Sequence, residues 1–318
     1  MEEVLGFEPS GEGEHCYAWV EKRGWNSNDV AGHFADQLGI RKRLIAHCGL
    51  KDKEAVTRQW FSIHLPGAES PTSEQLETDG IRVLRLERGT RKLKRGSHDA
   101  NRFLLRLREV EITSRSELER RWEAIRDQGV PNYFGPQRFG RNGGNLPQVR
   151  KLFRGEIEVR DRLLRGILIS SARSALFNLQ VARRIQSETW NRALEGEVYG
   201  FADNGSLILP ERYRGDEEER FAAGRVEVTA PLWGAGELLS AGAVGAMEEG
   251  SGDPELAAGL EALGLRQERR VMRLRPQKGS LRWTGDGDEF ELSFNLPKGC
   301  FATAILSELI DARENQAR

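Results

Sequence analysis

A chain of 318 residues is long enough for one large or two ordinary domains, and 38% hydrophobic residues can build a real core. Charged residues make up 31% and mean hydropathy is -0.57, so the surface is ion-rich, yet a formal net charge of -1 excludes a uniformly basic nucleic-acid binder. Cys16, Cys48 and Cys300 stand far apart without a C-x-x-C pair, which predicts neither a disulfide framework nor a zinc ribbon; with no apolar leader or membrane-length run, the expected compartment is the cytoplasm.

After a Gly- and Glu-rich start, His15-Cys16-Tyr17-Ala18-Trp19-Val20-Glu21 alternates as a strand, and Lys22-Arg23-Gly24-Trp25 turns the chain. Asn26 or Ser27 is placed to cap a helix with Val30, Phe34 and Leu38 on one stripe. Gly39 followed by Ile40 predicts a Schellman stop. His33 has no partner at i+4 and reads as a boundary residue rather than a metal ligand. The stretch from Ala46 to Gly67 then combines a turn, Gly49-Leu50-Lys51-Asp52-Lys53, with a strand. Phe61, Ile63 and Leu65 share one face of that strand, and Trp60, Ser62 and His64 the other. Spacing leaves two readings of Asp52. It is either one member of a solvated charge pair, or a reactive carboxylate whose ionised form the flanking lysines favour, able to act as base or nucleophile.

Charge becomes lopsided between Arg82 and Arg108, where Arg82, Arg85, Arg88, Arg91, Lys92, Lys94, Arg95, Arg102, Arg106 and Arg108 face only Glu87 and Asp99. Such a run is either a solvated hairpin or the footprint of a polyanion. Within it Asn101 to Arg108 reads as a strand with Asn101, Phe103, Leu105 and Leu107 in line. Ser116-Glu117-Leu118-Glu119 is the expected capping box of a helix whose stripe is Leu118, Trp122 and Ile125, ended by Gly129. The loop from Val130 to Asn145 gathers three aromatics and two arginines. The rings either anchor the loop or stack on bases beside phosphate-holding guanidinium groups.

From Leu146 to about Gly196 the pattern is helical, with Val149, Leu152 and Phe153, then Leu163, Leu164, Ile167 and Leu168, and later Leu176, Leu179, Ala182 and Ile185 expected to face inward. Beyond Val198 come short strands and a turn at Asp203-Asn204-Gly205, with acidic runs at Asp216-Glu219 and Glu248-Glu249 that predict a lobe apart from the basic region. A hairpin around Gly285-Asp286-Gly287 follows. Asp286 and Asp288 lack the spacing of a calcium loop, and Cys300 reads as a small buried hydrophobe before an apolar helix from Phe301 to Ile310.

Five motifs in order, G-L-K-D-K-E-A-V-T-R-Q-W-F, N-R-F-x-L-x-L-R, V-P-N-Y-F-G-P-Q-R-F-G, S-A-R-S-A-L-F-N and L-P-K-G-C-F-A-T, resemble the TruD family of RNA pseudouridine synthases from about Leu5 to Ile310. The resemblance implies that Asp52 is the nucleophile, that Asn101 contacts the target nucleotide, that Phe103 stacks near its base and that Phe301 closes the site. It further implies isomerisation of a uridine in tRNA, uridine-13 in bacterial members, by base flipping and without cofactor or metal. The implied fold is α+β, a mixed and mainly antiparallel pseudouridine-synthase sheet flanked by helices. Residues 1-128 and 271-318 would form the catalytic domain and 129-270 a family-specific α/β insertion. A monomer with no obligatory protein partner is expected.

Family members carry a P-E-D-F-x-V strand, with a basic residue just upstream, ahead of the position where this chain begins at Met1-Glu2-Glu3-Val4. Either Lys51 or Lys53 compensates for the missing cation, or the start is misassigned, or activity is impaired; the expectation is a truncated start. Two other functions fit parts of the sequence: an RNA chaperone using the basic hairpin and aromatic loop without chemistry, and a metal-dependent nuclease built on Asp52 and His64, which lacks a second carboxylate in its motif.

Overall fold

The computed structural model describes residues 1–110, 114–201, 205–249, 252–285 and 289–310. Asp203, Asn204, Asp286, Gly287 and Asp288, on which two turns and the calcium comparison were read, lie outside the described residues. The chain divides into two compact units, Met1–Glu109 with Lys278–Gly299, and Val110–Gln277 with the segment from Cys300 onward.

The first stretch supplies β1 (Glu2–Leu5), β2 (His15–Lys22), α1 (Ser27–Leu38), β3 (Ile45–His47), β4 (Thr57–His64), α2 (Ser73–Leu76), β5 (Ile81–Gly89) and β6 (His98–Leu107). The middle supplies α3 (Arg115–Gln128), β7 (Val130–Pro131), α4 (Asn145–Phe153), α5 (Arg162–Gln186), β8 (Tyr199–Gly200), β9 (Leu207–Ile208), α6 (Glu217–Ala222), β10 (Glu227–Leu232), α7 (Gly242–Glu249), α8 (Pro254–Ala262), β11 (Glu268–Val271) and β12 (Arg273–Leu274). Then β13 (Gln277–Trp283) and β14 (Phe290–Pro297) return to the first sheet, and α9 (Ala302–Leu309) follows.

In the first unit, the sheet runs β13-β14-β6-β1-β4-β2-β5, with β3 also paired to β4. Only β1 and β4 are parallel among the registered pairs. The fold is thus α+β on a mixed, mainly antiparallel sheet. Alternation in β4 works as its sequence dictates: Phe61 and Ile63 enter a core with Val30, Phe34 and Ile81, while Trp60 joins Tyr17 and Cys48 on the opposite face. The helix α1 ends in the expected Schellman geometry, with Gly39 at φ 61 and the Ile40 N–H reaching the Ala35 carbonyl at 3.0 Å. Asn26 occupies its N-cap position without a side-chain cap bond, and Ser27 is diverted to another task described below.

In the second unit, two expectations are corrected. The cap of α3 is Ser114, whose hydroxyl accepts from the Glu117 N–H at 3.1 Å, two residues before the expected box. On α5 the inward stripe is Leu168, Ala172, Leu176, Phe177 and Val181, whereas Leu163, Leu164, Ile167 and Leu179 are exposed. This helix is apolar around much of its circumference, so periodicity underdetermines its buried face. Packing against α4, α8 and β10 chooses it. Buried acidic residues of this unit are paired: Glu197 with Arg184 at 2.6 Å, Glu248 with Arg269 at 2.6 Å and Glu227 with Arg273 at 2.5 Å, while Asp216, Glu218 and Glu219 are exposed.

Candidate active site

The turn Gly49-Leu50-Lys51-Asp52-Lys53 is held almost entirely through its backbone. The Cys48 carbonyl accepts from the Gly96 N–H at 2.7 Å, the Gly49 carbonyl from Gln59 Nε2 at 3.1 Å, and the Lys53 carbonyl from the Gly24 N–H at 3.0 Å. Ser27 explains its absence from the helix cap: its hydroxyl accepts the Lys51 N–H at 3.0 Å and donates to Gln59 Oε1 at 2.6 Å. At the centre lies Lys22, 0% exposed, whose ammonium donates to the carbonyls of Asp52 at 2.7 Å, Trp25 at 2.8 Å and Lys51 at 3.3 Å. Such thorough pairing of loop carbonyls fixes the path of the chain.

Asp52 itself faces solvent. Its Oδ1 accepts the Glu54 N–H at 3.0 Å, an Asx-type turn, and Oδ2 has no hydrogen-bond partner among the described residues. Neither lysine expected to accompany it does so through an ion pair. Lys51 is buried and its ammonium meets Glu3 Oε2 at 2.7 Å, while Lys53 is exposed and forms no ion pair among the described residues. The cation that feels Asp52 is Lys22. Burial pulls its pKa below the ordinary lysine range, and the Asp52 carboxylate opposes that fall. Lys22 was read only as part of a turn; a lysine closing a strand gives no sequence signal that it will be buried 30 residues away from its acceptor.

Glu3 links this loop to Asn101. It lies opposite Asn101 in the β1–β6 register, its Oε2 holds Lys51, and its Oε1 accepts the Trp60 N–H at 3.2 Å. Asn101 is buried, its Nδ2 is 3.4 Å from His98 Nε2, and its Oδ1 is a buried acceptor left without a partner. Two residues on, Phe103 stacks on the fully buried Phe294 across the β6–β14 pair, ring centroids 5.6 Å apart. The fold therefore brings Asp52, Asn101 and Phe103 onto one sheet and its adjoining loop. Glu3, Cys48 and His98 are the one group of potential metal donors among the described residues, with ligand atoms within 4.8 Å of one another. The Lys51 ammonium already sits on that carboxylate, burial lifts the Cys48 thiol to about 12, and burial with Lys51 and Lys298 pushes His98 down to about 4. A cation there would have to displace Lys51.

Phe301 belongs to the second unit, at the N-cap of α9 and 37% exposed. It lies 6.4 Å from Phe134, and the Arg138 guanidinium is 5.8 Å from its ring centroid. Of the aromatic loop, Phe134 is buried and Tyr133 and Phe139 pack against the same cluster, so these rings anchor the loop. Asn178 clamps Phe134 at both its N–H, 3.0 Å, and its carbonyl, 2.9 Å, which joins two of the sequence motifs.

Comparison with known proteins identifies the family of the chain. The family model for tRNA pseudouridine synthase D (TruD) matches residues 1–158 and 145–309. The tRNA pseudouridine synthase D of Aeromonas hydrophila is 42% identical over 99% of this chain and 88% of its own length; that of Ectopseudomonas mendocina is 43% identical over 98% and 88%. A crystal structure of the putative tRNA pseudouridine synthase D from Methanosarcina mazei shares the fold, with TM-score 0.71, 21% identity, and coverage of 98% of this chain and 91% of that one. The fold and the matches define an RNA-modifying isomerase of the pseudouridine synthase class. More particularly, the chain belongs to the TruD family of tRNA pseudouridine synthases.

Proposed function

We propose that this chain converts uridine-13 of tRNA to pseudouridine, with Asp52 as nucleophile acting on a flipped-out nucleotide. The observation that carries the reading is an exposed carboxylate on a turn whose backbone is tied down from beneath by Lys22, Ser27 and Gln59, beside a sheet bearing the unpartnered Oδ1 of Asn101. A nucleophile must be held in place yet left uncovered. Asp52 would attack at the base or at the sugar carbon and the N-glycosidic bond would break; uracil would rotate and rejoin through its C5, the bond to Asp52 would break to release the carboxylate, and C5 would lose a proton while N1 gains one. Phe103 would replace stacking that the flipped base loses, a part that family resemblance also assigns to Phe301. Asn101, whose Oδ1 is buried and unpartnered here, would bond the nucleotide once that oxygen is uncovered.

By family resemblance we assign catalysis to residues 1-128 and 271-318 and the insertion to 129-270; compactness instead divides the chain after Glu109, Gln277 and Gly299, which groups α9 with the second unit. Arg82, Lys94 and Arg95, which form no ion pair among the described residues, are suited to phosphates. Among the described residues no helix is long and apolar enough to cross a membrane, and we place the protein in the cytoplasm as a monomer. Asp52→Ala is expected to abolish pseudouridine formation, read by carbodiimide-adduct mapping of treated tRNA, while RNA binding persists. Turnover by that variant would remove Asp52 from its role.

A further inference from the structure

The guanidinium of Arg138 stands out within the second unit. Its Cζ lies 5.2 Å from the Phe134 ring centroid and 5.8 Å from that of Phe301, and its Nη1 donates to Ser170 Oγ at 3.1 Å. Its backbone is pinned, since the Arg138 carbonyl accepts from Ser171 Oγ at 2.7 Å and from Asn145 Nδ2 at 3.3 Å. No carboxylate lies within ion-pair distance of it among the described residues. A second guanidinium, Arg270, lies 4.3 Å from the same Phe134 ring, so two cations share one aromatic. Burial lowers the pKa of both Arg138 and Arg270, and the Arg138 charge adds a smaller push on Arg270 in the same direction, so the fold holds like charges together at a cost. Elsewhere in this unit, half-buried or buried arginines carry carboxylates, as Arg150, Arg184 and Arg273 do.

A half-buried, pinned guanidinium without a counter-ion, next to a partly exposed phenyl ring, has the chemistry of a nucleotide site. The ring offers a π-face to a base, and the planar fork offers paired donors to a phosphate. We infer that Arg138 takes the non-bridging oxygens of a phosphodiester adjoining the nucleotide whose base meets Phe301, and so acts as a substrate-binding residue that fixes the target's register. This rests on the reading of the chain as an enzyme acting on RNA.

The test is a cycle between the side chain and the charge it would meet. In an Asp52→Ala background, binding is measured for tRNA stem-loops carrying a neutral methylphosphonate at the phosphate 5′ or 3′ of the target uridine, with and without Arg138→Gln. Arg138→Gln should weaken binding ~10- to 100-fold, as expected for hydrogen bonds to a charged group. At one of the two positions the methylphosphonate should cost the Arg138 protein a similar factor, and the Arg138→Gln protein less than about twofold. Losses that multiply at both positions would overturn the inference, as would a folded Arg138→Gln protein that binds like its parent. Should Arg138→Gln fail to fold, Arg138→Lys keeps stem and charge but not the fork, and the same cycle must show reduced coupling. Because binding is read, turnover by Asp52→Ala would remove the nucleophile assignment without touching this inference, and loss of coupling would leave that assignment standing.

Discussion

Replacing Lys22 by Met keeps the aliphatic stem and removes the ammonium that ties the Asp52 loop to β2. Three carbonyls then lose a charged donor, two of them at 2.7 and 2.8 Å and the third, weaker, at 3.3 Å. At about 1.5–3 kcal/mol for each good bond to a charged group, the gross loss is ~3–6 kcal/mol. Lys22 is fully buried, however, so Met recovers much of the desolvation cost of the ammonium, and the net loss expected is about 2 kcal/mol. The larger effect should be kinetic. Asp52 is attached to one of the freed carbonyls, and a displacement of about 1 Å at a reacting group costs on the order of 100-fold in rate. Single-turnover pseudouridine formation with enzyme in excess over tRNA separates this from binding. The rate constant should fall ~100-fold while RNA affinity changes less than about threefold, because the lost interaction matters to the reaction and not to docking. A folded Lys22→Met protein with a rate within about threefold of its parent would refute the argument that the loop is positioned from beneath.

Two further perturbations probe the support around the loop. Lys51→Met leaves the Glu3 carboxylate buried without its cation and should cost ~3–5 kcal/mol in urea unfolding, while Lys51→Met with Glu3→Gln should cost clearly less than the sum of the single changes; additive losses would mean that the pair is not coupled. His98 is pushed from 6.5 down to about 4 in the folded chain, so the unfolded chain binds more protons between those values, and stability should fall as pH drops from 6.5 towards 4, by up to ~3 kcal/mol. Unfolding followed against pH, with His98→Gln flattening that slope, checks the sign; an unchanged slope in the variant would assign the acid sensitivity elsewhere.

What was legible in the sequence depended on how local its cause was. The β4 alternation, the Gly39 stop and the α3 stripe follow from neighbours a few residues apart, and each stands where periodicity placed it. The buried side of α5 was not readable, because a helix with leucines and isoleucines on several faces leaves the choice to its partners. The Asp52 turn and the Asn101 strand could be found as motifs, but what holds them could not. Lys22, Ser27, Gln59 and Glu3 reach the site from four separate stretches, and each is of a type that occurs on any surface. Ser27 is instructive: its position before an apolar stripe is a helix-cap signal, yet its hydroxyl is used by Lys51 and Gln59 instead.

The way the loop is held also bears on its charge. Had a lysine paired directly with the Asp52 carboxylate, it would have covered an oxygen that the proposed attack needs. Here the ammonium of Lys22 binds the peptide carbonyls and does not occupy Oδ2, and the Glu54 N–H claims only Oδ1. The remaining buried charges cancel locally, since Lys51 neutralises Glu3 and His98 is held in its neutral form above about pH 4. Counting Lys22 against Asp52 and Lys51 against Glu3, the centre is close to neutral. A neutral centre gives little long-range pull on a phosphate backbone, so on the proposed reading the exposed arginines and lysines between β5 and β6, rather than the Asp52 loop, would attract RNA to this sheet. Such a separation of attraction from reaction would leave the Asp52 oxygen open while the polyanion is steered by residues a loop away.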